Sequence, residues 1–143
     1  MSDDTAISAA RTALHAALVD AVVAPAWRIH RTAPAQLIAP CVYLDSAELG
    51  VGSVPGAGIV AVTFPVVAVA DGKVEAQVAA LDDILARIWT AAMSAGGDPT
   101  GSRPVALDVG GPTLRAHAVR VEMFVAALTM CAPPNLVLTG GKS

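Results

Sequence analysis

Three histidines, His15, His30 and His117, are the first candidates for acid–base or metal chemistry in this sequence. Imidazole acts as a base or a metal ligand where a carboxylate or a cysteine stands at a suitable spacing. None of the three has such a neighbour, and His15 is flanked one helical turn away by Arg11 and Val19. The spacing therefore favours histidines at the surface or at a subunit contact.

Two further pairs of reactive side chains lack the arrangement that chemistry needs. Asp82 and Asp83 are adjacent on a predicted helix, where neighbouring residues do not face each other, so they are not an acid–base pair. Asp82 belongs to a solvated face or a subunit contact. Cys41 and Cys131 are far apart and in no CxxC motif, which favours two reduced, buried thiols.

Neither glycine-rich segment has the features of a phosphate-binding loop. The sequence TGGKS, residues 139–143, matches the end of such a loop, but Leu136 stands where its first glycine belongs. Residues 50–58, GVGSVPGAG, have no Lys-Ser or Lys-Thr ending and fit a mobile loop. No serine lies in a GxSxG turn. We therefore expect a protein that is not an enzyme, with no catalytic residue, metal or cofactor.

The composition predicts a single domain with more apolar surface than one copy can bury. Of the 143 residues, 55% are hydrophobic and only 15% are charged, against about 25% charged in a typical globular domain. The net charge of −3 and the lack of a basic run argue against nucleic acid as a specific ligand. We expect one domain over residues 1–143, with extended arms at 1–4 and 132–143, and further copies covering part of its surface.

The most apolar stretch, Gly58 to Ala70, is predicted to be a strand rather than a membrane span. A spanning helix needs about 20 apolar residues, whereas this run ends at Asp71 and contains Pro65. Its β-branched valines favour a strand over Ile59–Val69, kinked or divided near the proline. The acidic N-terminus, MSDDTAISAA, lacks the positive charge of a secretory signal, so we expect synthesis in the cytoplasm.

Two amphipathic helices are predicted from apolar residues spaced three and four apart. The first carries Ile7, Ala10, Leu14, Leu18 and Val22 on its buried side. The second starts near Lys73 and ends at Gly96 and Gly97, with Ile84 and Trp89 widening an apolar stripe of Val74, Val78, Leu81, Leu85, Ile88 and Ala92.

The remaining patterns predict an α+β domain with a mostly antiparallel sheet of about five strands. Strands are predicted at residues 27–30, Cys41–Asp45, Ile59–Val69, Pro104–Val109 and 114–124, with both helices packed on the sheet. Residues 46–58 are predicted to form a long hairpin loop and GDPTGSR, residues 97–103, a second loop. In the last strand the apolar positions change from even to odd numbers, which predicts a β-bulge near Ala118.

This order of elements resembles the tail terminator proteins of long-tailed, siphovirus-type bacteriophages. The resemblance runs from about Ala6 to about Ala127, through WRIH, PCVYLD, VVAVAD, the helix KVEAQVAALDDILARIWTAAM and the final LRAHAVRVEMFV. It implies a hexameric ring in the virion that caps the head-proximal end of the tail tube. The implied partners are further copies of the chain, the major tail tube protein and a neck connector, with DNA passing through the channel without specific binding.

By this resemblance, residues of the 46–58 loop and nearby charges would make subunit or ring contacts: Asp45, Glu48, Leu49, Val51, Val54, Arg115 and Arg120. Two other functions stay open. One is another phage neck or tail assembly protein, and the other is a small cytosolic enzyme or ligand-binding domain with an unrecognised site. No membrane association is expected.

Overall fold

The structure is a computed structural model that describes residues 6–22, 27–50, 56, 58–71, 74–105 and 115–126. Within these residues the chain forms two helices and six strands, so the predicted α+β class is confirmed. In chain order the elements are α1 (Ala6–Ala21), β1 (Arg28–His30), β2 (Cys41–Leu44), β3 (Glu48–Leu49), β4 (Ile59–Val69), α2 (Val74–Ser94), β5 (Asp98–Val105) and β6 (Ala116–Ala126).

All six strands belong to one sheet, in the order β1-β2-β4-β6-β5, with β3 paired to β4 on the same side as β2. The pairing of β1 with β2 is parallel and every other pairing is antiparallel, so the sheet is mixed. Strand β3 lies inside the segment predicted as a loop, and it pairs Glu48 with Thr63 and Leu49 with Val62.

The main core fills the space between the helices and one face of the sheet. Alternate residues of β2, β4 and β6 point to this side, and α1 and α2 cover them. Its largest fully buried side chains are Leu14, Leu18, Val42, Leu44, Val62, Phe64, Val66, Ile84, Ile88, Val119 and Val121. We call this side of the sheet the helix face; it contains the buried positions predicted for α1.

The opposite face of the sheet carries a second, smaller core at one end. Strands β2, β4 and β6 contribute to it, and residues from the segment before β2 and the end of β5 pack against it. The buried members are Cys41, Tyr43, Val67, Val69, Ala116 and Ala118, packed against Leu37, Ala39 and Val105. We call this side the open face.

This second core explains why the predicted β-bulge near Ala118 is wrong. Strand β6 pairs with β4 without interruption from Val69↔Ala116 to Ile59↔Ala126. Ala116 and Ala118 are buried on the open face, whereas Val119 and Val121 are buried on the helix face. Because both faces of this strand have cover, the change from even to odd apolar positions needs no shift of register.

Pro65 lies in the middle of β4, which continues through it, so the strand predicted to be kinked or divided near this proline is not divided. The neighbouring strand is interrupted instead: β2 pairs with Val66–Val69 and β3 with Val62–Thr63, which leaves Pro65 at the gap. The carbonyl of Pro65 accepts a bond from the amide of Asp45 at 2.8 Å. The nitrogen of Pro65, which carries no hydrogen, faces the same gap, so no ladder hydrogen bond is lost there.

Strand β5 begins six residues before the strand predicted at Pro104–Val109, so the GDPTGSR segment is mostly strand and not loop. It is an edge strand, and its pairing with β6 shifts between Pro99 and Gly101, which leaves Thr100 as a bulge. Pro65 is paired with Arg120 and its carbonyl points away from β6, so the backbone N–H and C=O of Arg120 point towards β5. These groups alternate in direction along each strand, and in the register of β5 with β6 the nitrogens of Pro99 and Pro104 point away from β6. The two prolines are therefore tolerated because neither position has to donate a ladder hydrogen bond to β6.

Helix α2 ends at the predicted glycines in a Schellman motif. The amide of Gly97 donates to the carbonyl of Ala92 at 2.9 Å and that of Gly96 to Met93 at 3.1 Å, while Gly96 has a φ of 82°. Gly97 also lies against the sheet, because a Cβ built on it would be 2.7 Å from Cγ1 of Val121. Because Gly97 has no side chain, the end of α2 can pack closely against the core.

Candidate interaction surface

The structure brings together two of the residues predicted to make contacts, Glu48 and Arg120. A nitrogen of the Arg120 guanidinium donates to Oε1 of Glu48 at 2.7 Å, across β4 on the open face. This hydrogen bond lowers the pKa of Glu48 below its ordinary value. The side chains of Arg120 and Glu48 are 37% and 54% exposed, so the pair lies at the surface and is not a buried ion pair.

The other predicted residues of the hairpin have separate surroundings. Leu49 is exposed and, in register with Val62, belongs to the helix face of β3. The carboxylate of Asp45 accepts a bond from the amide of Ser46 at 2.8 Å and so closes the turn after β2. Val51 and Val54 lie outside the described residues.

Arg115 is distant from this patch. It precedes β6, and its carbonyl accepts a bond from the amide of Ala70 at 2.9 Å, beside the second core. Five residues of extended strand separate it from Arg120, which is roughly 17 Å. Of the predicted contact residues that the structure describes, Glu48 and Arg120 therefore form a pair on the open face, and Leu49 lies on the opposite face. Asp45 and Arg115 form no salt bridge with this pair.

A larger apolar surface lies on α2. Val78, Trp89 and Met93 are 44%, 38% and 56% exposed. Arg87 of the same helix donates to the carbonyl of Ala21 at the end of α1, and its Nε pairs with Asp83. At about 100° per residue, the side chains at 78, 82, 85, 89 and 93 lie on the opposite flank, away from α1. We call this surface, with Glu75, the acidic flank.

The acidic flank was only partly visible in the sequence. The stripe predicted to be buried holds Leu81, Ile88 and Ala92 in the core, but Val78 faces solvent. The side chain of Val74 lies outside the described residues. The sequence did indicate an exposed apolar surface, because the apolar positions between Ile84 and Trp89 around the helix circumference form an arc wider than one sheet face covers.

A cationic surface, missed in the sequence, lies at the other edge of the sheet. Arg31 follows β1 and donates to two residues of α1: from Nε to Oγ1 of Thr12 at 3.0 Å, and from Nη2 to Oγ of Ser8 at 2.8 Å. Nε2 of His15 lies 3.3 Å from the carbonyl of Ile29. These contacts hold one side of α1 on β1, and we call the surface around Arg11 and Arg31 the arginine edge.

Arg11 is the most constrained member of the arginine edge. Its Nη1 donates to the carbonyls of Arg31 and Leu44, each at 3.2 Å, and its guanidinium carbon lies 5.0 Å from the centre of the Phe64 ring. Burial, followed by the positive charge of Arg31, lowers the pKa of Arg11, and Asp45 opposes the shift. Two guanidinium groups therefore share this edge without a carboxylate in direct contact among the described residues.

Other chemical features of the described residues are few. A shallow open groove of about 400 Å³ between the helices is lined by Ala21, Asp83, Ala86, Arg87 and Thr90. Within the described ranges, no three His, Cys, Asp or Glu side chains are grouped as metal ligands. Neither helix of this part of the chain is both long and apolar enough to cross a membrane.

Two residues considered earlier for chemistry have buried reactive atoms. Cys41 is a free thiol whose pKa is raised, first by burial. Cys131 lies outside the described residues. His117 points to the helix face, and both of its ring nitrogens are buried with no hydrogen-bond partner among the described residues.

Comparison of the sequence with known family models and with curated proteins found no match.

Proposed function

We propose that this chain is a structural assembly protein whose copies join into a closed ring. The observation that carries the proposal is the amount of large apolar side chain at the surface of one copy. Within the described part of the chain, seven such residues are at least 38% exposed: Val19, Ile38, Leu49, Val78, Trp89, Met93 and Phe124. In a chain with only 15% charged residues, this surface favours association with further copies.

The specific role that we propose is that of a phage tail terminator. The support is the order of elements on which the resemblance rests: an N-terminal helix, strands, a long helix and a final strand pair, with the short β3 in addition. In this role a hexameric ring caps the head-proximal end of the tail tube and binds both the major tail tube protein and a neck connector. A net charge of −3 per copy suits a channel that lets DNA pass without binding it.

Sedimentation velocity and negative-stain electron microscopy of the full chain test the ring. We expect a concentration-dependent rise from monomer to one closed species with a central hole. Open filaments would contradict a closed ring. A monomer that persists at the highest attainable concentration and that binds a small molecule would contradict an assembly role altogether.

A second experiment tests the role at the tail. Added to polymerising tail tube protein encoded near it, the chain should stop tube growth and appear at one end of each tube by immunogold labelling. Tubes of unchanged length without label at either end would contradict the terminator role, even if the ring itself formed.

A further inference from the structure

The apolar end of the acidic flank lies at the end of the sheet where β6 finishes. Gly97, just after α2, packs against Met123, because a Cβ built on it would lie 3.3 Å from Cγ of this residue. Strand β6 runs only three residues further, roughly 10 Å, to Ala126. The C-terminal turns of α2, which carry the exposed Trp89 and Met93, therefore lie close to the point at which the chain leaves the sheet.

The chain that follows β6 has the composition to cover this flank. Residues 127–143, ALTMCAPPNLVLTGGKS, lie outside the described residues, and their sequence contains the apolar run 136–138 and a single charged side chain, Lys142. Read from its C-terminal end, the flank is apolar at Trp89 and acidic further on, at Asp82 and Glu75. Neither acid forms a salt bridge within the described residues. An apolar run that precedes a cation therefore complements this flank.

The segment is long enough to return from the end of β6 to the flank. Ten residues separate Ala126 from Leu136, and ten residues span up to roughly 33 Å when extended. The return from the end of β6 to the level of Met123 needs roughly 10 Å of this length. The remainder allows the chain to pass around the C-terminal end of α2.

The spacing within the segment also fits the spacing along α2. Leu136 and Leu138 lie on the same side of an extended chain, because side chains alternate with a period of two. Lys142 is up to roughly 13 Å beyond Leu138, whereas Trp89 and Asp82 are separated by roughly 10.5 Å along the helix. With the two leucines on Trp89, the ammonium group of Lys142 therefore reaches the carboxylate of Asp82.

We infer that residues 127–143 fold back along the acidic flank of the same copy, antiparallel to α2, with Leu136 and Leu138 on Trp89 and Lys142 beside Asp82. The own copy is the occupant because the segment is attached at the apolar end of the flank, which gives it a high effective concentration there. The inference concerns a single copy and goes beyond the proposed ring, for which the exposed apolar side chains outside α2 remain.

Tryptophan fluorescence of the full chain tests whether the segment covers the flank. Trp27→Phe leaves Trp89 as the single tryptophan, and acrylamide quenching then reports its exposure. In this background Leu136→Ser with Leu138→Ser should raise the quenching constant at least about two-fold, because a leucine contributes about 1.5–3 kcal/mol when fully buried. Val137→Ser is the matched control on the other side of the segment and should change the constant little. Circular dichroism checks that the variants are folded.

A charge exchange tests the direction of the segment in the same background. Lys142→Glu and Asp82→Lys should each raise the quenching constant by less than the leucine variant does, since an exposed ion pair is worth at most about 1 kcal/mol. The two substitutions together should return it close to its original value. Asp83→Lys is the control, because Asp83 faces the groove beside α1 and pairs with Arg87.

A cross-link shows which copy supplies the segment. Met93→Cys places a thiol on the flank, and the chain itself supplies Cys131 five residues after β6. Mild oxidation should give an internal disulfide, seen as a monomer of higher mobility on a non-reducing gel. Thr90→Cys, which faces the groove beside α1, should form this bond at least several-fold more slowly.

The outcomes separate this contact from the proposed function. Higher quenching in the leucine variant, recovery in the charge exchange and an internal disulfide support the contact. Quenching that none of these variants changes overturns it, and covalent oligomers in place of the internal disulfide overturn its assignment to the same copy. Sedimentation velocity tests the ring separately: a wild-type chain that stays monomeric while Trp89 is covered would overturn the ring and leave this contact standing.

Discussion

The two phenylalanines of this chain lie on opposite faces of the same sheet and have opposite surroundings. Phe64, on the helix face, is fully buried beneath α1, with the Arg11 guanidinium over its ring. Phe124, on the open face, is 54% exposed. The same residue type at strand positions of similar apolar pattern thus serves the core in one case and the surface in the other.

The difference shows what covers each face. The helix face is covered by two helices along its length and is filled with branched side chains and one aromatic ring. Among the described residues, the apolar cluster of the open face lies at the end with Ala116 and Ala118, and Glu48 meets Arg120 on the same face. Phe124 lies beyond this apolar cluster and is exposed in the described part of the chain.

The largest expected effect comes from truncating one phenylalanine and then the other. Phe64→Ala should reduce the free energy of unfolding by about 3–5 kcal/mol, because it leaves a cavity under α1. Phe124→Ala should change it by less than about 0.5 kcal/mol in the monomer. Urea unfolding followed by circular dichroism measures both, and similar losses would contradict the assignment of the two faces.

A smaller loss should follow from Gly97→Ala at the end of α2. The added Cβ would lie 2.7 Å from Cγ1 of Val121 and 3.2 Å from the carbonyl oxygen of Ala92, so core or backbone has to move. We expect a loss of about 1–3 kcal/mol in the same unfolding measurement. Gly56→Ala is the control, since nothing lies within 4 Å of its added Cβ, and its loss should be negligible.

Replacing His117 should stabilise the helix face rather than weaken it. Its two ring nitrogens are buried and have no partner in the part of the chain that the structure describes, so His117→Phe removes unsatisfied polar atoms while keeping a planar ring. We expect a gain of about 1 kcal/mol in thermal or urea unfolding. His15→Phe is the matched variant, and it should lose stability because it removes the contact with Ile29. A loss for both variants would indicate that His117 has a polar partner.

The smallest effect is expected on the open face, from Glu48→Gln. The hydrogen bond from Arg120 lowers the pKa of Glu48 in the folded protein. The ion pair therefore stabilises the folded state fully at pH values above the unfolded pKa of about 4.3. That stability is lost as the pH falls through the lowered folded pKa. The difference between wild type and variant should stay below about 1 kcal/mol at pH 7 and vanish in acid. A difference that grows towards low pH would contradict the assignment.

Much of the fold could be predicted because the spacing of the apolar residues indicates the type of each element and its buried side. The spacing of Leu14 and Leu18 predicted α1, and the paired glycines predicted the end of α2. The errors arose where the neighbouring strand decides the outcome. Pro65 is tolerated because the strand beside it is interrupted, and Pro99 because β5 is at an edge. Both facts depend on neighbouring strands and cannot be read from the residues next to each proline.

The candidate surface was harder to predict than the fold. Glu48 and Arg120 were both named from the sequence, but their pairing depends on β3 and β6, which lie on either side of β4 and form no backbone pairing with each other. The arginine edge was not predicted, because Arg11 and Arg31 are in separate elements that meet only when α1 packs on β1. Burial patterns identify elements, whereas charge pairing depends on their three-dimensional arrangement.

The gap between β2 and β3 opposite Pro65 makes the turn after β2 a suitable site for inserting a foreign sequence. Ser46 is exposed, and the proline removes the ladder amide that a continuous partner strand would have to bond there. A tag or fluorescent reporter inserted after Ser46 would lengthen a turn without breaking a backbone pair. This position therefore offers a handle for labelling the chain in an assembly while both helices stay unmodified.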